Sequence, residues 1–406
     1  VWISPVVKNL DASTADGSSY HGYWAQDIYA VNTNFGSAAN LVKLSSALHD
    51  RGMVCCGDCV DYSVFDPFNK ESYYHPFCLI DYNNQTSMEL KQIVLEGDNT
   101  VSLPDLRVED SNVQDMFATW IKQLVKNYTI DGLRIDSAAE VSKDSLANFE
   151  SAADMYAVGE VFNNNADYVC AYQDSISGVM NYPLYYNITS AFASTSGDIK
   201  ALEQGVNTMK STCKDVTLLG SFLENHDNPR FPSLTSDISL AKNAIGFAML
   251  ADGIPIVYQG QEQHFDGGDT PNQREQLWKS GYDSTATLYK HITKLNAIRK
   301  VAIKNDDGYL TYNAYLVWTD DHTIVMRKGN NDTQVIGVFN NLGAEGDKDF
   351  TLLATSSGFD AGMDVTDVLA CDKFTTDDKG DLDVKIEGGV PLVLYSTKQL
   401  DGSGIC

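Results

Sequence analysis

Apolar residues follow a helical period in some stretches of the chain and form short uninterrupted runs in others. The helical period predicts amphipathic helices at residues 37–50, 113–128, 239–250 and 288–299. The short runs predict buried strands at residues 1–5, 130–136, 156–161, 178–182, 218–224 and 254–258. An alternation of strand, polar turn and helix is typical of a parallel sheet covered by helices. We therefore expect an α/β domain.

The pattern of apolar positions changes near residue 308. Beyond this point, short apolar runs are joined by Gly, Asp and Asn turns, and no long amphipathic helix follows. The runs predict strands at residues 312–317, 322–327, 334–340 and 392–395. We therefore expect the α/β domain to cover residues 1–307 and a separate antiparallel β-sandwich domain to cover residues 308–406.

The charge of the chain excludes two classes of partner. Its 406 residues carry a net charge of −26, with a pI near 4.4, and so acidic a surface repels phosphate backbones and anionic lipids. No apolar run is long enough to cross a bilayer. We expect no nucleic-acid partner and no membrane-spanning segment. An uncharged ligand such as a sugar polymer meets no such repulsion.

The cysteines and the glycosylation sequons favour secretion. Eight cysteines are spread along the chain, which fits disulfides in an oxidising compartment better than a metal site. A metal site at Cys55, Cys56 and Cys59 stays an alternative, although no second CxxC pair completes it. Sequons occur at Asn84, Asn127, Asn187 and Asn331. Because the chain opens directly on a predicted core strand, we also expect that an upstream segment has been removed.

Three carboxylates lie where a barrel enzyme collects its catalytic groups. Asp136, Glu160 and Asp227 stand at or just past the C-terminal ends of predicted parallel strands. Arg134 lies two residues before Asp136, so both side chains point to the same side of the strand and the guanidinium favours the ionised carboxylate. Glu160 ends an apolar run, a setting that raises a carboxyl pKa and suits a general acid.

This set of carboxylates is typical of retaining glycoside hydrolysis. One carboxylate attacks the anomeric carbon, the other protonates the leaving oxygen and then activates water, and a third can oppose the positive charge of the transition state. Each residue also has an ordinary structural interpretation. Asp227 alone is more often a helix N-cap or a solvated turn, His226 a packing histidine, and Arg134 part of a structural ion pair. By themselves these residues favour a carboxylate-based hydrolase.

Five segments resemble signature regions of the α-amylase family, glycoside hydrolase family 13. Three of them carry the candidate carboxylates, namely DGLRID at 131–136, GEV at 159–161 and FLENHDN at 222–228. The other two are YHGYWAQDIY at 20–29 and GIPIVYQGQE at 253–262. The similarity is strongest to fungal α-amylases and covers nearly the whole chain, including the C-terminal β domain.

The resemblance implies a (β/α)₈ TIM barrel with a C-terminal antiparallel β-sandwich domain. By comparison with the family, the barrel lacks the first strand, which would precede Val1, and part of the third strand near residues 51–59. Residues 59–106 are then the remnant of the loop domain that follows strand 3. We expect these losses to impair the activity of this chain.

The resemblance also implies roles for individual residues. It makes Asp136 the nucleophile, Glu160 the general acid/base and Asp227 the transition-state stabiliser. An aromatic ring suits a pyranose because the C–H faces of the sugar are apolar; Tyr23 would supply that ring, whereas core packing is the favoured role for Trp24. The implied substrate-binding set is Tyr23, His21, Trp24, Arg134, His226, Arg274 and Glu140.

Some positions depart from the family pattern. Ala139 and Glu140 stand where α-amylases usually carry Lys-His that grips the leaving or acceptor sugar, so we expect acceptor handling to differ. Thr270 replaces an Asp that pairs with substrate hydroxyls, with Asp269 adjacent. The resemblance implies a Ca²⁺ cofactor, but of its ligands only Asp105 is retained, and one oxygen ligand is far from a calcium site.

The resemblance pairs the distant cysteines as Cys170–Cys213 and Cys371–Cys406. The remaining four, Cys55, Cys56, Cys59 and Cys78, are then unpaired or form new pairs. We expect a monomer that is secreted to the extracellular space or the cell wall and acts on an α-glucan polysaccharide or oligosaccharide.

Three functional hypotheses follow. The first is an α-amylase-like hydrolase that cleaves internal α-1,4-glucosidic bonds of starch- or glycogen-type glucans. The second is a 4-α-glucanotransferase, which shares the covalent intermediate but passes it to a sugar acceptor; the changes at Ala139 and Glu140 favour it. The third is an inactive or incomplete homologue, for which the missing strands argue and against which the retained carboxylates argue.

Overall fold

The structure is a computed structural model, and it describes residues 1–15, 17–59, 67–75, 96–97, 102–103 and 105–406. These residues form two compact units. Unit 1 consists of Val1–Phe162 with Ala171–Met180, and unit 2 consists of Asn163–Cys170 with Asn181–Cys406. The domain boundary at residue 307 stays a prediction. So does the loop-domain remnant at 59–106, most of which lies outside the described residues.

Unit 1 contains a parallel sheet. The strands of this unit are β1 (Trp2–Ile3), β2 (Val7–Asn9), β3 (Ala25–Val31), β4 (Cys56–Cys59), β5 (Glu96–Gly97), β6 (Ser102–Leu103), β7 (Gly132–Ile135), β8 (Ala157–Gly159) and β9 (Gly178–Val179). The sheet has the order β1-β4-β7-β8-β9, with every pair parallel. Unit 1 also contains two antiparallel strand pairs, β2–β3 and β5–β6. Because the strands are parallel, their carboxyl ends meet at one edge, where Asp136 follows β7 and Glu160 follows β8.

The family resemblance implies that part of the third barrel strand is missing near residues 51–59. Residues 56–59 nevertheless form strand β4, which pairs with β1 through Trp2 and Cys56 and with β7 through Cys56 and Gly132. Cysteine behaves as a small apolar residue, and Cys55, just before the strand, is buried at 1% exposure. At Gly57 an added Cβ would lie 3.3 Å from the side chain of Ile130, so the small residue allows that close approach.

Two helices of unit 1 agree with the predicted periodicity, namely α1 (Ala38–His49) and α2 (Ser111–Tyr128). A third helix is α3 (Lys143–Ala153). Ser37 caps α1 in a reciprocal arrangement with Asn40. The leucines of α1 that share one face are only partly buried, since Leu41 and Leu48 are buried but Leu44 is 41% exposed.

Unit 2 begins with helices and a second pair of parallel strands. Its helices are α4 (Ala166–Cys170), α5 (Tyr182–Phe192), α6 (Ile199–Thr212), α7 (Ile238–Leu250), α8 (Thr287–Asn305) and α9 (Ala354–Ser357). Strands β10 (Gly220–Phe222) and β11 (Ile254–Ile256) pair in parallel. Helix α5 was not predicted, because its aromatic and β-branched residues favour strands. It is instead a helix whose N-cap Asn181 accepts from the N–H of Leu184.

The C-terminal part of unit 2 is antiparallel, as predicted. Its strands are β12 (Tyr315–Thr319), β13 (Thr323–Lys328), β14 (Val335–Asn340), β15 (Lys348–Leu352), β16 (Asp364–Asp367), β17 (Asp372–Thr375), β18 (Leu382–Ile386) and β19 (Leu392–Ser396). Six of them form a sheet in the order β12-β13-β14-β19-β16-β17, while β15 pairs with β18. Val338 and Leu394 from the larger sheet share one apolar core with Leu352 and Val384 from the smaller. Two sheets around one core make a sandwich.

The implied disulfides Cys170–Cys213 and Cys371–Cys406 are both formed. Among the described residues, Cys55 is a free thiol, whereas Cys78 and the sequon at Asn84 lie outside the described residues. Asn187 lies within α5, and its Nδ2 donates to the carbonyl of Pro183 at 2.8 Å. Among the described helices, none combines the length and apolar character that a bilayer span requires.

Candidate active site

One buried arginine in unit 1 joins two of the three candidate carboxylates. Asp136 follows β7 and Glu160 follows β8, and these neighbouring strands pair Ile135 with Gly159. Nη1 of Arg134 contacts Oδ1 of Asp136, while Nη2 of Arg134 lies 2.9 Å from Oε1 of Glu160. The Arg134 side chain is only 2% exposed. The positive charge of the buried guanidinium and the negative charges of the two carboxylates compensate each other.

The surroundings of Glu160 differ from the apolar setting inferred from the sequence. The strand before it is buried, as predicted, but the carboxylate itself is held by polar groups. Besides the contact of Oε1 with Arg134, Oε2 accepts from the N–H of Ser137 at 3.2 Å. Ser137 has a left-handed backbone, with φ at 44°, which is uncommon for a residue other than glycine. Each carboxylate oxygen of Glu160 therefore meets a donor, Oε1 the guanidinium of Arg134 and Oε2 the N–H of Ser137.

Aromatic rings surround the same guanidinium. The ring centre of Tyr23 lies 5.9 Å from the Arg134 guanidinium carbon, and that of Trp2 lies 5.4 Å from it. His21 packs edge-on against Trp24 with ring centres 5.0 Å apart, and its Nδ1 accepts from the N–H of Tyr23 at 3.0 Å. Trp24 is half-buried. Trp2 was not predicted to be a site residue, because the apolar run at residues 1–5 predicts only a core strand.

The third candidate carboxylate belongs to unit 2 and has its own partners. Oδ1 of Asp227 lies 2.9 Å from Nη2 of Arg274, and Oδ2 lies 3.1 Å from Nε2 of His226. Arg274 also donates from Nε to the carbonyl of His226 at 2.8 Å. The side chain of Asp227 is 31% exposed. The structure therefore brings together Asp227, His226 and Arg274, three residues that the sequence analysis had named.

A buried cluster of charges supports this second group. The guanidinium of Arg230, fully buried, lies 3.2 Å from Glu224 through Nη1 and 3.0 Å from Glu275 through Nε. Nη1 of Arg230 also donates to the carbonyl of Gln259 at 2.8 Å. Burial raises the pKa of Glu224 to about 7, and the charge of Arg230 opposes that rise. The cluster ties the loop after β10, which carries Asp227, to the loop after β11.

These buried residues were not predicted, although the sequence contains a signal for them. Glu224 and Arg230 bracket Asp227 at short range, and Glu275 directly follows Arg274. Opposite charges that flank two candidate residues are a reason to look for a supporting ion pair.

The loop after β11 contains the predicted departure at Thr270. Thr270 and Asp269 are both exposed. The hydroxyl of Thr270 accepts from Nε2 of Gln273 at 2.6 Å, and the same Nε2 donates to the carbonyl of His226 at 3.1 Å. Thr270 thus helps to hold the segment that leads to Arg274.

The described residues do not fit a calcium site. Oδ2 of Asp105 lies 2.7 Å from Nδ1 of His75, whose Nε2 lies 2.9 Å from Glu109. Burial raises the pKa of Asp105 to about 7, a rise that His75 opposes and that Glu109 and Glu140 add to. Calcium takes six to eight oxygen ligands. Within the described ranges, no group of three or more His, Cys, Asp or Glu side chains could hold a metal ion.

Comparison with known families agrees with this fold. A model of the alpha-amylase catalytic domain matches residues 1–332, and a model of alpha-amylase domain C matches residues 316–406. Alpha-amylase 1 of Schwanniomyces occidentalis is 47% identical over all of this chain and 81% of its own length. The alpha-amylase of Saccharomycopsis fibuligera is 45% identical over all of this chain and 82% of its own length.

Solved structures give the same result. An alpha-amylase from Malbranchea cinnamomea superposes with a TM-score of 0.94 at 44% identity, over all of this chain and 87% of that one. An alpha-amylase from Geobacillus thermoleovorans, solved in complex with acarbose, has a TM-score of 0.82 at 27% identity, over 97% and 87% of the two chains. These neighbours are TIM-barrel enzymes. The chain belongs to the alpha-amylase family of glycoside hydrolases, with a TIM-barrel catalytic domain and a C-terminal antiparallel domain.

Proposed function

We propose that this enzyme cleaves internal α-1,4-glucosidic bonds of starch- or glycogen-type glucans with retention, using Asp136 and Glu160. The observation that carries the proposal is the single guanidinium of Arg134 in contact with both carboxylates. Retaining enzymes hold their two carboxyl groups about 5 Å apart. Two carboxylates that share one guanidinium are restricted to a separation of that order.

In this mechanism Asp136 attacks the anomeric carbon while Glu160 protonates the departing glycosidic oxygen. Glu160 then removes a proton from the water that hydrolyses the covalent intermediate. Asp227 opposes the positive charge that develops on the sugar ring in each transition state. Its ion pair with Arg274 at 2.9 Å supports this role, because Arg274 fixes the direction of the carboxylate.

Each unit contributes proposed binding residues to this mechanism. The apolar face of a pyranose stacks on Tyr23, whose ring lies beside Arg134 and whose N–H donates to Nδ1 of His21. His226 and Arg274 bind hydroxyl groups of the sugar next to Asp227. Glu140, half-buried at the end of the short 3₁₀ turn Ala138–Glu140, contacts the acceptor side.

Alpha-amylases typically depend on calcium. Of the ligands that the resemblance implies, the described residues retain Asp105, which is paired with His75. The proposed mechanism therefore has no step that needs the metal. The two disulfides support an enzyme that is secreted to an oxidising, extracellular compartment.

The test compares Asp136→Asn and Glu160→Gln on maltoheptaose and on an aryl maltoside with a good leaving group. Asp136→Asn removes the nucleophile, so we expect activity to vanish on both substrates. Glu160→Gln should slow maltoheptaose cleavage by about 10²- to 10⁴-fold. It should slow aryl release much less, because a good leaving group departs without protonation.

The matched control is Asp167→Asn, the same change at an exposed aspartate in α4. It should keep the parent rates. Parent-level cleavage by Asp136→Asn would refute the assignment of the nucleophile. A parent chain that leaves both substrates intact would instead support the inactive homologue.

A 4-α-glucanotransferase is the second candidate, and the residues at Ala139 and Glu140 favour it. Ala139 is buried at 1% exposure, so its small side chain offers no charged group to an acceptor sugar. The product length distinguishes the two activities. Hydrolysis of maltoheptaose yields only shorter oligomers, whereas transfer yields oligomers longer than the substrate.

A further inference from the structure

A cleft in unit 2 is lined by three lysine side chains. Its volume is about 350 Å³, which lies within the range of sites for small molecules. Lys242 belongs to α7, whereas Lys290 and Lys294 belong to α8. The lining also includes the loop that follows β16 and the loop that precedes β19. We call this feature the lysine cleft.

The three lysines face the same cleft without sufficient counter-charge. Lys290 and Lys294 are four residues apart and therefore share one face of α8. Nε2 of His291 lies 2.9 Å from the carbonyl oxygen of Lys242, which ties α8 to α7. In the part of the chain that the structure describes, neither Lys242 nor Lys290 forms a salt bridge. Like charges at one cleft repel one another, and a bound anion relieves that repulsion.

The carboxylates nearby do not neutralise the cleft. Among the described residues, Asp367 is the acidic side chain of the lining, and its two oxygens already accept from three backbone N–H groups at 2.9 to 3.1 Å. Outside the lining, hydrogen bonds from Thr285 and then the charge of Lys290 lower the pKa of Asp283. The local charge of the cleft is therefore positive, although the whole chain carries −26.

The buried His291 shows how close two of the lysines lie to each other. Burial lowers the pKa of His291 to about 4, and the charges of Lys242 and Lys294 add to that effect. Both ammonium groups therefore act on the same ring. The histidine is neutral at neutral pH and leaves the lysines as the cations of the site. Nζ of Lys294 donates to the carbonyl of Leu369 and has two further N–H donors for a ligand.

Hydrogen bonds fix the loops of the cleft in place. Oγ of Ser239 and Nδ2 of Asn243, both in α7, donate to the carbonyls of Gly388 and Gly389 at 2.8 and 2.7 Å. They hold the loop before β19, which contributes Pro391 to the lining. The bonds to the Asp367 carboxylate hold the loop after β16 in the same way. A ligand therefore meets an ordered site, which lowers the entropy lost on binding.

We propose that the lysine cleft binds the phosphate group of a small organic phosphate. A phosphate dianion accepts charge-assisted hydrogen bonds from several ammonium groups at once. Helix α8 begins without a side-chain cap at Ala286, so its first turn offers N–H donors as well. Leu369, Val390 and Pro391 give the lining an apolar part that suits the organic part of the ligand and not a free phosphate ion. This site is independent of the proposed glucan cleavage.

The experiment is calorimetric titration of the full chain with phenyl phosphate, inorganic phosphate and phenol. Neutral pH and low ionic strength keep the screening of the lysines weak. We expect phenyl phosphate to bind about tenfold more tightly than inorganic phosphate, and phenol not to bind. Lys242→Gln combined with Lys290→Gln should weaken phenyl phosphate binding about tenfold or more. Neither lysine has a salt bridge to lose, so the thermal melt without ligand should match that of the parent.

The matched control is Lys300→Gln combined with Lys304→Gln, because both lysines are exposed, lie in α8 and are outside the lining. It removes the same charge and should bind phenyl phosphate within twofold of the parent. An equal loss in the control would overturn the site, since the effect would then come from the overall charge. A parent chain that binds neither phosphate would also overturn it.

Two further results complete the test. Equal affinity of the parent for inorganic phosphate and phenyl phosphate would overturn the organic part of the proposal and leave a site for the free ion. Lys290→Glu alone, a change at an exposed position, should abolish binding of both phosphates even if the double variant folds poorly. Unchanged binding by Lys290→Glu would refute the role of the lysine cleft. Since titration requires no turnover, failure of the proposed catalytic roles would not affect these results.

Discussion

Arg134 and Glu160 form a buried ion pair, with Nη2 of the arginine 2.9 Å from Oε1 of the glutamate. The other terminal nitrogen of the same guanidinium contacts Asp136. One cation therefore compensates two carboxylates that would otherwise repel each other in a site of low dielectric. The planar fork of arginine can meet both at once, and a single ammonium group cannot do so with the same geometry.

The first prediction concerns the shape of this cation. Arg134→Lys keeps the charge but loses the fork, so we expect kcat on maltoheptaose to fall by about 10²-fold or more. Arg134→Met removes the charge, which disfavours two ionised carboxylates. Its residual activity should therefore require a higher pH than that of Arg134→Lys. Overlapping pH–rate profiles for the two variants would contradict this account.

The second prediction concerns the buried cluster around Arg230. Arg230→Met leaves Glu224 buried without its cation, so we expect the free energy of unfolding to fall by about 3–5 kcal/mol. Urea denaturation at neutral pH measures this change. The control Lys200→Met breaks the exposed pair with Asp321 and should give no measurable change. A similar small effect at Arg230 would mean that the cluster does not hold the two loops.

The third prediction is a pH dependence of stability from His291 in α8. Burial lowers the pKa of His291 to about 4, and the nearby Lys242 and Lys294 add to that effect, while the hydrogen bond to the Lys242 carbonyl at 2.9 Å opposes it. The unfolded chain takes up a proton near pH 6.5 and the folded chain does not. Stability is therefore lost as the pH falls from about 6.5 to 4.

His291→Gln should remove this part of the pH dependence, because glutamine keeps a donor for the carbonyl and does not titrate. Between pH 6.5 and 4, we expect the parent to lose on the order of 3 kcal/mol more unfolding free energy than the variant. Urea denaturation of both proteins at several pH values measures the difference. Parallel pH–stability curves would show that His291 is not buried as a neutral group.

The fourth prediction concerns the disulfide Cys371–Cys406. Its removal by Cys371→Ser with Cys406→Ser frees a loop of 35 residues in the unfolded chain. By loop-closure entropy, the free energy of unfolding should fall by about 4 kcal/mol. The maltoheptaose rate at low temperature should stay the same, because the bond lies far along the chain from the catalytic residues. Reduction of the parent protein should lower the stability further, because it also breaks Cys170–Cys213.

Much of the fold follows from apolar periodicity, while the charged contacts do not. The amphipathic stretch at 113–128 predicted α2 within two residues, since one apolar face at helical spacing has few alternatives. The helix α5 was missed because tertiary burial of Tyr182, Tyr185 and Phe192 outweighs their preference for strands. Strands β15 and β18 were missed because charged residues alternate with buried ones there, so no continuous apolar run marks them.

In the candidate site, too, the residues were predicted but their charged contacts were not. Motif and strand position were enough to name Asp136, Glu160 and Asp227, but not to foresee which groups contact them. The apolar residues before Glu160 predicted apolar surroundings for its carboxylate. The contact with Arg134 was not predicted, because it depends on the pairing of β7 with β8. Such pairing between distant segments is not encoded in local periodicity.

The cluster of Glu224, Arg230 and Glu275 also constrains how this part of the chain can diverge. A change at Arg230 alone leaves both Glu224 and Glu275 without their cation, whereas a change at Glu224 alone leaves Arg230 paired with Glu275. Replacement of the cation together with its two carboxylates by apolar residues of similar volume is tolerated far better than loss of Arg230 alone. The loops after β10 and β11 should therefore accept substitutions at these positions in matched combinations. A single substitution at Arg230 should be strongly destabilising, whereas single substitutions at surface positions are tolerated.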